Sequence, residues 1–174
     1  RCELVIPNRE VQDVYRFEIL DKMRGRFSVS RLETMFDDLL SGNGKAFSEL
    51  LGGYLRDLVS VYDTANKESF YHGFVLGMTA LFVSDYIIES NRESGYGCFD
   101  LAIIPKDVSK AGVIMKFKVA SREADMAAKA KEALQQIEER EYVTEFCQRG
   151  IQRVWKYGIA FCGKKILAFQ GPMC

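Results

Sequence analysis

Two lysines and one aspartate attract attention because they lie on predicted strands that are otherwise apolar. Phe99–Pro105 and Val113–Ala120 are predicted to be neighbouring antiparallel strands joined by a polar loop. Side chains alternate along a strand, so Lys116 and Lys118 share one face of the second strand. Reflection about the centre of the loop places Asp100 opposite them. The pattern therefore predicts one carboxylate beside two ammonium groups at the end of an apolar hairpin.

Two interpretations of this charge cluster are open. An ordinary surface ion cluster is the more common reason for such residues on a hairpin. Here, however, the flanking strand residues are apolar on both faces, which is typical of strands covered by other elements. Charged side chains on a covered strand often mark a functional site. The cluster is therefore a candidate site.

The elements that must position this cluster follow from hydrophobic periodicity and from turn residues. A short strand and four helices are predicted before the hairpin, and three further strands and a helix surround it. The elements with the clearest bounds are a strand over Glu3–Ile6, helices over Glu10–Arg24 and Lys67–Asp85, a strand over Tyr86–Ser90, a helix from Ala124 to about Glu139, and strands over Val154–Cys162 and Lys165–Gln170.

This order predicts an α/β fold with a central mixed β-sheet flanked by helices and a helical N-terminal part. Residues 1–60 are assigned to a helical N-terminal subregion and residues 61–174 to the core, and together they are predicted to form one compact domain. Two local features refine the helices. Ser30 and Glu33 predict a capping box at a helix start. Gly73 and Gly77 lie on one helix face, where they are predicted to allow another element to approach closely.

Composition excludes several classes of protein. Among 174 residues, 24 Lys and Arg balance 24 Asp and Glu, so a uniformly basic surface is excluded, although a local basic groove is not. Five cysteines without CxxC or CxxH spacing and a single histidine disfavour structural zinc. They fit reduced thiols in the cytoplasm. No apolar run reaches about 18 residues, so no membrane partner is expected.

The residue pattern resembles the PD-(D/E)XK nuclease superfamily, in which a carboxylate on one strand is followed on the next by an acidic residue, one spacer and a lysine. Several segments resemble one group of that superfamily, which is found C-terminal to AAA-ATPase-like domains in bacterial proteins. They are ESFYHGFVLG (Glu68–Gly77), SNRESGYGCFD (Ser90–Asp100), FKV (Phe117–Val119), ALQQIEEREY (Ala133–Tyr142) and KYGIAFCGKKI (Lys156–Ile166). The initial VIPNREV resembles the junction that leads out of such an upstream ATPase-like domain.

This resemblance implies a restriction-endonuclease-like core that hydrolyses phosphodiesters of DNA or RNA with Mg²⁺ or Mn²⁺. Asp100 matches the first metal-binding carboxylate, and Lys118 matches the lysine that positions the attacking water or stabilises the developing charge. Glu68 matches an acidic residue on a helix that assists some members, as a further metal ligand. Gln136 and Tyr142 match a helix pattern that borders the catalytic site.

Four residues are predicted to contact nucleic acid: His72, Arg92, Tyr142 and Lys164. His72 lies one helical turn after Glu68, so the two side chains share a face. The alternative for His72 is a structural hydrogen bond with Glu68. The alternative for Arg92 is an ordinary place in a polar turn between strands.

The sequence departs from the family pattern at Lys116, where the family has Glu or Asp. Cys98 also stands where the group commonly has arginine. Mg²⁺ prefers oxygen ligands, and a like charge at about 4 Å costs about 4 kcal/mol at an effective dielectric of about 20. Lys116 is therefore predicted to pair with Asp100, to weaken metal binding or abolish it, and to leave the nuclease inactive or attenuated.

Three explanations of Lys116 are open: an introduced inactivating substitution, a natural loss in a pseudo-nuclease that still binds nucleic acid, or transfer of the acidic role to a neighbour such as Glu68. Three functional hypotheses follow. The first is an attenuated nuclease domain. The second is a non-catalytic module that binds nucleic acid or a protein. The third is a toxin or effector domain that a cognate inhibitor protein captures.

Overall fold

A five-stranded mixed sheet forms the centre of the molecule in a computed structural model that describes residues 28–59, 68–79, 82–90, 93–94, 97–139 and 142–173. The strands are β1 (Tyr86–Ser90), β2 (Glu93–Ser94), β3 (Gly97–Cys98), β4 (Leu101–Pro105), β5 (Gly112–Val119), β6 (Val154–Cys162) and β7 (Lys165–Gln170). The sheet has the order β1-β4-β5-β6-β7, and β2 and β3 form a separate two-stranded ribbon. Only β5 and β6 are parallel; the other neighbours are antiparallel.

Helices cover both faces of this sheet. They are α1 (Val29–Ser41), α2 (Gly44–Leu58), α3 (Glu68–Thr79), α4 (Met126–Glu139) and α5 (Val143–Gln148), with a 3₁₀ turn at Glu123–Asp125. Residues of α1, α2 and α3 share one apolar cluster with one face of the sheet, and residues of α4 and α5 pack against the other face. The predicted α/β fold, a central mixed sheet flanked by helices, is confirmed.

The alternation along β5 decides which side chains meet which helices. Val113, Met115 and Phe117 point into the cluster that α1, α2 and α3 complete. Ile114 belongs to the cluster on the opposite face, which α4 and α5 cover. Lys116 and Lys118 follow Ile114 at intervals of two and share its face of the strand as predicted, and the structure shows that α4 covers this face.

Helix α4 crosses the sheet at Gly158 of β6. A Cβ built on Gly158 would overlap the carbonyl oxygen of Ala130 and the backbone nitrogen of Leu134, so only glycine lets the helix backbone approach this closely. The parallel register places Lys116 beside Gly158 on the neighbouring strand. The helix therefore lies directly alongside the two lysines.

Three sequence predictions about the helices need correction. The N-cap of α1 is Ser28, whose Oγ accepts a hydrogen bond from the Arg31 N–H at 3.3 Å, so Ser30 lies inside the helix and forms no capping box. Helix α3 ends at Thr79, and the chain turns between Phe82 and Asp85 instead of remaining helical. No element in the described part of the chain approaches the α3 glycines closely, contrary to the prediction.

Those glycines, Gly73 and Gly77, are exposed, and no described atom lies within 4 Å of a Cβ built on either. Their helix face points away from the sheet. The strand predicted over Glu3–Ile6 and the helix over Glu10–Arg24 lie outside the described residues. Within the described part of the chain, no helix has the length and apolarity needed to cross a membrane.

Candidate active site

Asp100 occupies the bend immediately before β4 and lies directly across from Lys116. The register pairs Leu101 with Met115, and the Asp100 N–H donates to the Met115 carbonyl oxygen at 3.1 Å. One residue outward, this antiparallel pairing brings Asp100 opposite Lys116. The register that the sequence predicts from the centre of the loop is therefore confirmed.

The Asp100 carboxylate is almost fully buried, and both of its oxygens have partners. Oδ1 accepts a hydrogen bond from Lys116 Nζ at 2.8 Å, and Oδ2 accepts one from the Phe117 N–H at 2.5 Å. The Asp100 and Lys116 side chains are 8% and 15% exposed. Because both charges are largely removed from water, each needs the other as its counter-ion.

Lys118 lies two residues further along the same face and has a different partner. Its Nζ is 3.7 Å from Glu132 Oε1 on α4, and Lys129 Nζ donates to Glu132 Oε2 at 2.7 Å. The hydrogen bond from Lys129, opposed by partial burial and reinforced by the charges of both lysines, lowers the pKa of Glu132. Glu132 is thus a shared anion between two cations.

Glu132 is the site residue that sequence reasoning missed. Two signals were available in the sequence: Lys129 and Glu132 have the i, i+3 spacing of a helical ion pair, and Glu132 precedes Gln136 by one turn on the same helix face. Four residues of an α-helix rise about 6 Å, and two residues of a β-strand span nearly the same length. The spacing of Glu132 and Gln136 along α4 therefore matches the spacing of Lys118 and Lys116 along β5. Gln136 is half-buried on this helix face.

His72 of α3 contacts the backbone of Asp100. Its Nε2 lies 3.0 Å from the Asp100 carbonyl oxygen and 2.9 Å from Ser90 Oγ. Because a carbonyl oxygen only accepts, Nε2 must carry the proton that it donates. His72 therefore contacts the start of the hairpin, which a hydrogen bond to Glu68 within α3 would not do. Glu68 is exposed in the first turn of α3.

Two of the other predicted nucleic-acid contacts, Tyr142 and Lys164, lie in the described part of the chain. Tyr142 is 3% exposed and packs edge-on against Phe99 with ring centroids 5.6 Å apart, so its ring belongs to the apolar core. Lys164, in the turn between β6 and β7, donates from Nζ to the Arg56 carbonyl oxygen near the end of α2 at 3.2 Å. Arg92 lies outside the described residues.

The described side chains do not fit a divalent metal ion. Mg²⁺ and Mn²⁺ require several oxygen ligands in a defined geometry. In the described ranges there is no group of three or more His, Cys, Asp and Glu side chains that could hold a metal. At Asp100 itself, the Lys116 ammonium already occupies one carboxylate oxygen.

Comparison with known proteins gives a match to one protein family. A family model described as the PD-(D/E)XK nuclease superfamily matches residues 66–170, more than half of the chain. The match contains Asp100, Lys116 and Lys118 as well as helix α4. A comparison with curated proteins gives no match. On the strength of the family match, the chain belongs to the PD-(D/E)XK nuclease superfamily.

Proposed function

We propose that this domain binds the phosphodiester backbone of DNA or RNA at Asp100, Lys116 and Lys118, and that hydrolysis is attenuated or absent because Lys116 stands where the superfamily has an acidic metal ligand. The ion pair of 2.8 Å between Lys116 Nζ and Asp100 Oδ1 carries this proposal. It supplies Asp100 with a cation from the chain itself, at the oxygen that a metal ion would need.

Electrostatics explains why a metal ion competes poorly for this place. Divalent binding would require Asp100 to release a hydrogen-bonded ammonium group and would leave that group almost buried beside the ion. Two like charges in a partly buried environment repel each other by several kcal/mol, as Coulomb's law gives at an effective dielectric of about 20. The site retains positive charge, but its described residues lack the set of oxygen ligands with which a metal ion activates water.

Lys118 supports the binding part of the proposal. Its side chain is 23% exposed, and its ion pair with Glu132 at 3.7 Å is longer than a hydrogen bond. A lysine in this position can exchange a carboxylate for a phosphate oxygen, because surface ion pairs contribute little net free energy. Phosphate contacts of this kind supply sequence-independent affinity for a nucleic acid.

The test compares cleavage of plasmid DNA and of a structured RNA by the present chain and by Lys116→Glu, with Mg²⁺ or Mn²⁺ and with EDTA. Lys116→Gln is the matched control, since it removes the ammonium group without adding a carboxylate. We expect Lys116→Glu to cleave in a metal-dependent way, and the other two proteins to cleave at least about a hundredfold more slowly, consistent with loss of a group that stabilises developing charge.

Two results would contradict the proposal. Cleavage by the present chain at the rate of Lys116→Glu would show that Lys116 does not limit catalysis. If Lys116→Glu folds but neither cleaves nor binds Mn²⁺ more tightly than Lys116→Gln, then position 116 is not the missing ligand.

The poor fit to a metal ion also favours a second candidate, a non-catalytic module that uses the same site to hold nucleic acid or a protein. Binding of nucleic acid that weakens as salt rises, without cleavage by any variant, would identify it. The upstream AAA-ATPase-like domain, the cognate inhibitor of a toxin or effector, the role of Glu68 and the cytoplasmic location stay predictions from the sequence.

A further inference from the structure

Glu132 stands between two lysines that it holds in unequal ways. Its Oε2 accepts a hydrogen bond from Lys129 Nζ at 2.7 Å, whereas its Oε1 is 3.7 Å from Lys118 Nζ. The Glu132 side chain is 43% exposed, so the carboxylate can move at low cost. Lys129 belongs to the same helix as Glu132, while Lys118 belongs to the sheet. The bond to Lys129 can therefore persist when the contact with Lys118 is broken.

We infer that Glu132 competes with backbone phosphate for Lys118 and thereby limits the affinity of the domain for nucleic acid. This inference rests on the proposed function. In the free protein the carboxylate neutralises Lys118 from the side of α4. When a phosphate oxygen approaches, it replaces Oε1, and Glu132 stays attached to Lys129. Glu132 thus limits phosphate binding through Lys118 and does not itself contact the nucleic acid.

The charge count at the site explains why this competition matters. Asp100 neutralises Lys116, and Glu132 is shared by Lys118 and Lys129. Lys116 belongs to a buried ion pair, so of the two lysines on β5 it is Lys118 that has the more exposed and more exchangeable partner. Any change in how firmly Glu132 holds Lys118 should therefore appear directly in phosphate binding.

Removing the charge of Glu132 should strengthen binding. In Glu132→Gln both lysines are released from the carboxylate, and phosphate no longer has to displace an anion. We expect affinity for nucleic acid to rise about fivefold at low salt, the scale of one exposed ion pair. The plot of log affinity against log salt concentration should become steeper by about one ion, since one more cation neutralises phosphate.

Glu138→Gln is a matched control on the same helix. Glu138 Oε1 lies 3.7 Å from Lys156 Nζ, and Glu138 is also 43% exposed, as Glu132 is. Its lysine, however, is only 8% exposed and has little surface to offer a phosphate. Glu138→Gln therefore changes the net charge and the helix equally, and we expect it to leave affinity and salt slope nearly unchanged.

The experiment measures fluorescence anisotropy of a labelled single-stranded DNA and a labelled RNA hairpin, in EDTA and over a series of KCl concentrations. Tighter binding and a steeper slope for Glu132→Gln, with Glu138→Gln like the unchanged chain, support the inference. The double variant Lys118→Gln/Glu132→Gln should lose the gain, because the effect operates through Lys118.

Several results would overturn the inference. Equal affinities for Glu132→Gln and Glu138→Gln would show only a general effect of net charge. Weaker binding by Glu132→Gln would show that Glu132 orients Lys118 productively instead of competing for it. A gain that survives Lys118→Gln would assign the effect to Lys129. If neither the unchanged chain nor any variant binds either probe, the proposed function itself fails.

Discussion

At the scale of single residues, the Asp100–Lys116 pair is the most deeply buried ion pair of the site. Each partner is at most 15% exposed, and the carboxylate also accepts the Phe117 N–H. Buried pairs of this type contribute modestly to stability as pairs, since desolvation offsets the attraction. Removing only one partner is costly, because the other charge then stays buried without compensation.

Asp100→Asn should therefore destabilise the domain by about 3 kcal/mol, the cost of leaving one buried charge unpaired. The measurement is the free energy of unfolding in urea. The double variant Asp100→Asn/Lys116→Met removes both charges and should recover most of the loss, which a double-mutant cycle quantifies. If the double variant loses as much as Asp100→Asn alone, the Phe117 N–H contact and not the ion pair explains the effect.

At the scale of elements, the crossing of α4 over β6 decides how the charges of the site are arranged. The helix brings Glu132 to Lys118 only because Gly158 lets its backbone lie against the strand. A side chain there would have to push the whole helix outward, because the overlapping atoms belong to the backbone of Ala130 and Leu134. The site and the packing of this helix are thus coupled.

Gly158→Ala should lower the free energy of unfolding by about 2 kcal/mol or more, as overpacking of a tight contact does. Gly77→Ala is a control in an exposed helix position with open space, and it should raise stability by about 0.5 to 1 kcal/mol because alanine favours helix. Thermal or urea unfolding of both variants checks this. A Gly158→Ala protein as stable as the unchanged chain would mean that the helix can move freely.

At the scale of the whole molecule, helices outside the family match share the core of the nuclease-like part. Leu39 of α1 and Tyr54 of α2 lie in the same apolar cluster as Phe117 of β5. The Tyr157 hydroxyl donates to the Leu39 carbonyl oxygen at 2.7 Å, and Trp155 Nε1 donates to Leu40 at 2.8 Å. Residues 28–59 thus share a core with the strands that follow, while the division into residues 1–60 and 61–174 of one compact domain stays a prediction.

Alkaline stability tests the bond that joins α1 to β6. Burial, and secondarily the charge of Asp38, raises the pKa of Tyr157 far above its ordinary value. The folded state therefore keeps the phenol proton to higher pH than the unfolded state does. The contribution of the protonated Tyr157 to the free energy of unfolding is complete below about pH 10 and is lost as pH rises toward the folded pKa.

Tyr157→Phe should cost about 1 kcal/mol at neutral pH through the lost hydrogen bond, and its stability should fall less steeply above about pH 10. Urea unfolding over a pH series measures both effects. Tyr54 and Tyr86, whose pKa values are also raised chiefly by burial, remain in both proteins and provide the common background. Parallel pH curves for the two proteins would show that Tyr157 ionises as readily folded as unfolded.

Much of the fold could be predicted from the sequence alone, because periods of 2 and 3.6 residues report which side of its own element each residue occupies. The two faces of β5, the bounds of β6 and β7 and the opposition of Asp100 to Lys116 all follow from such local patterns and are confirmed.

Only the tertiary structure decided which faces meet. Glu132 reaches Lys118, Tyr142 enters the core, and the α3 glycines face outward, because the path of each helix across the sheet depends on contacts between residues far apart in the chain. No local period encodes those contacts. The sequence by itself thus determined the charged residues of the hairpin, and the packing of α4 determined that Lys118 pairs with the partly exposed carboxylate of Glu132.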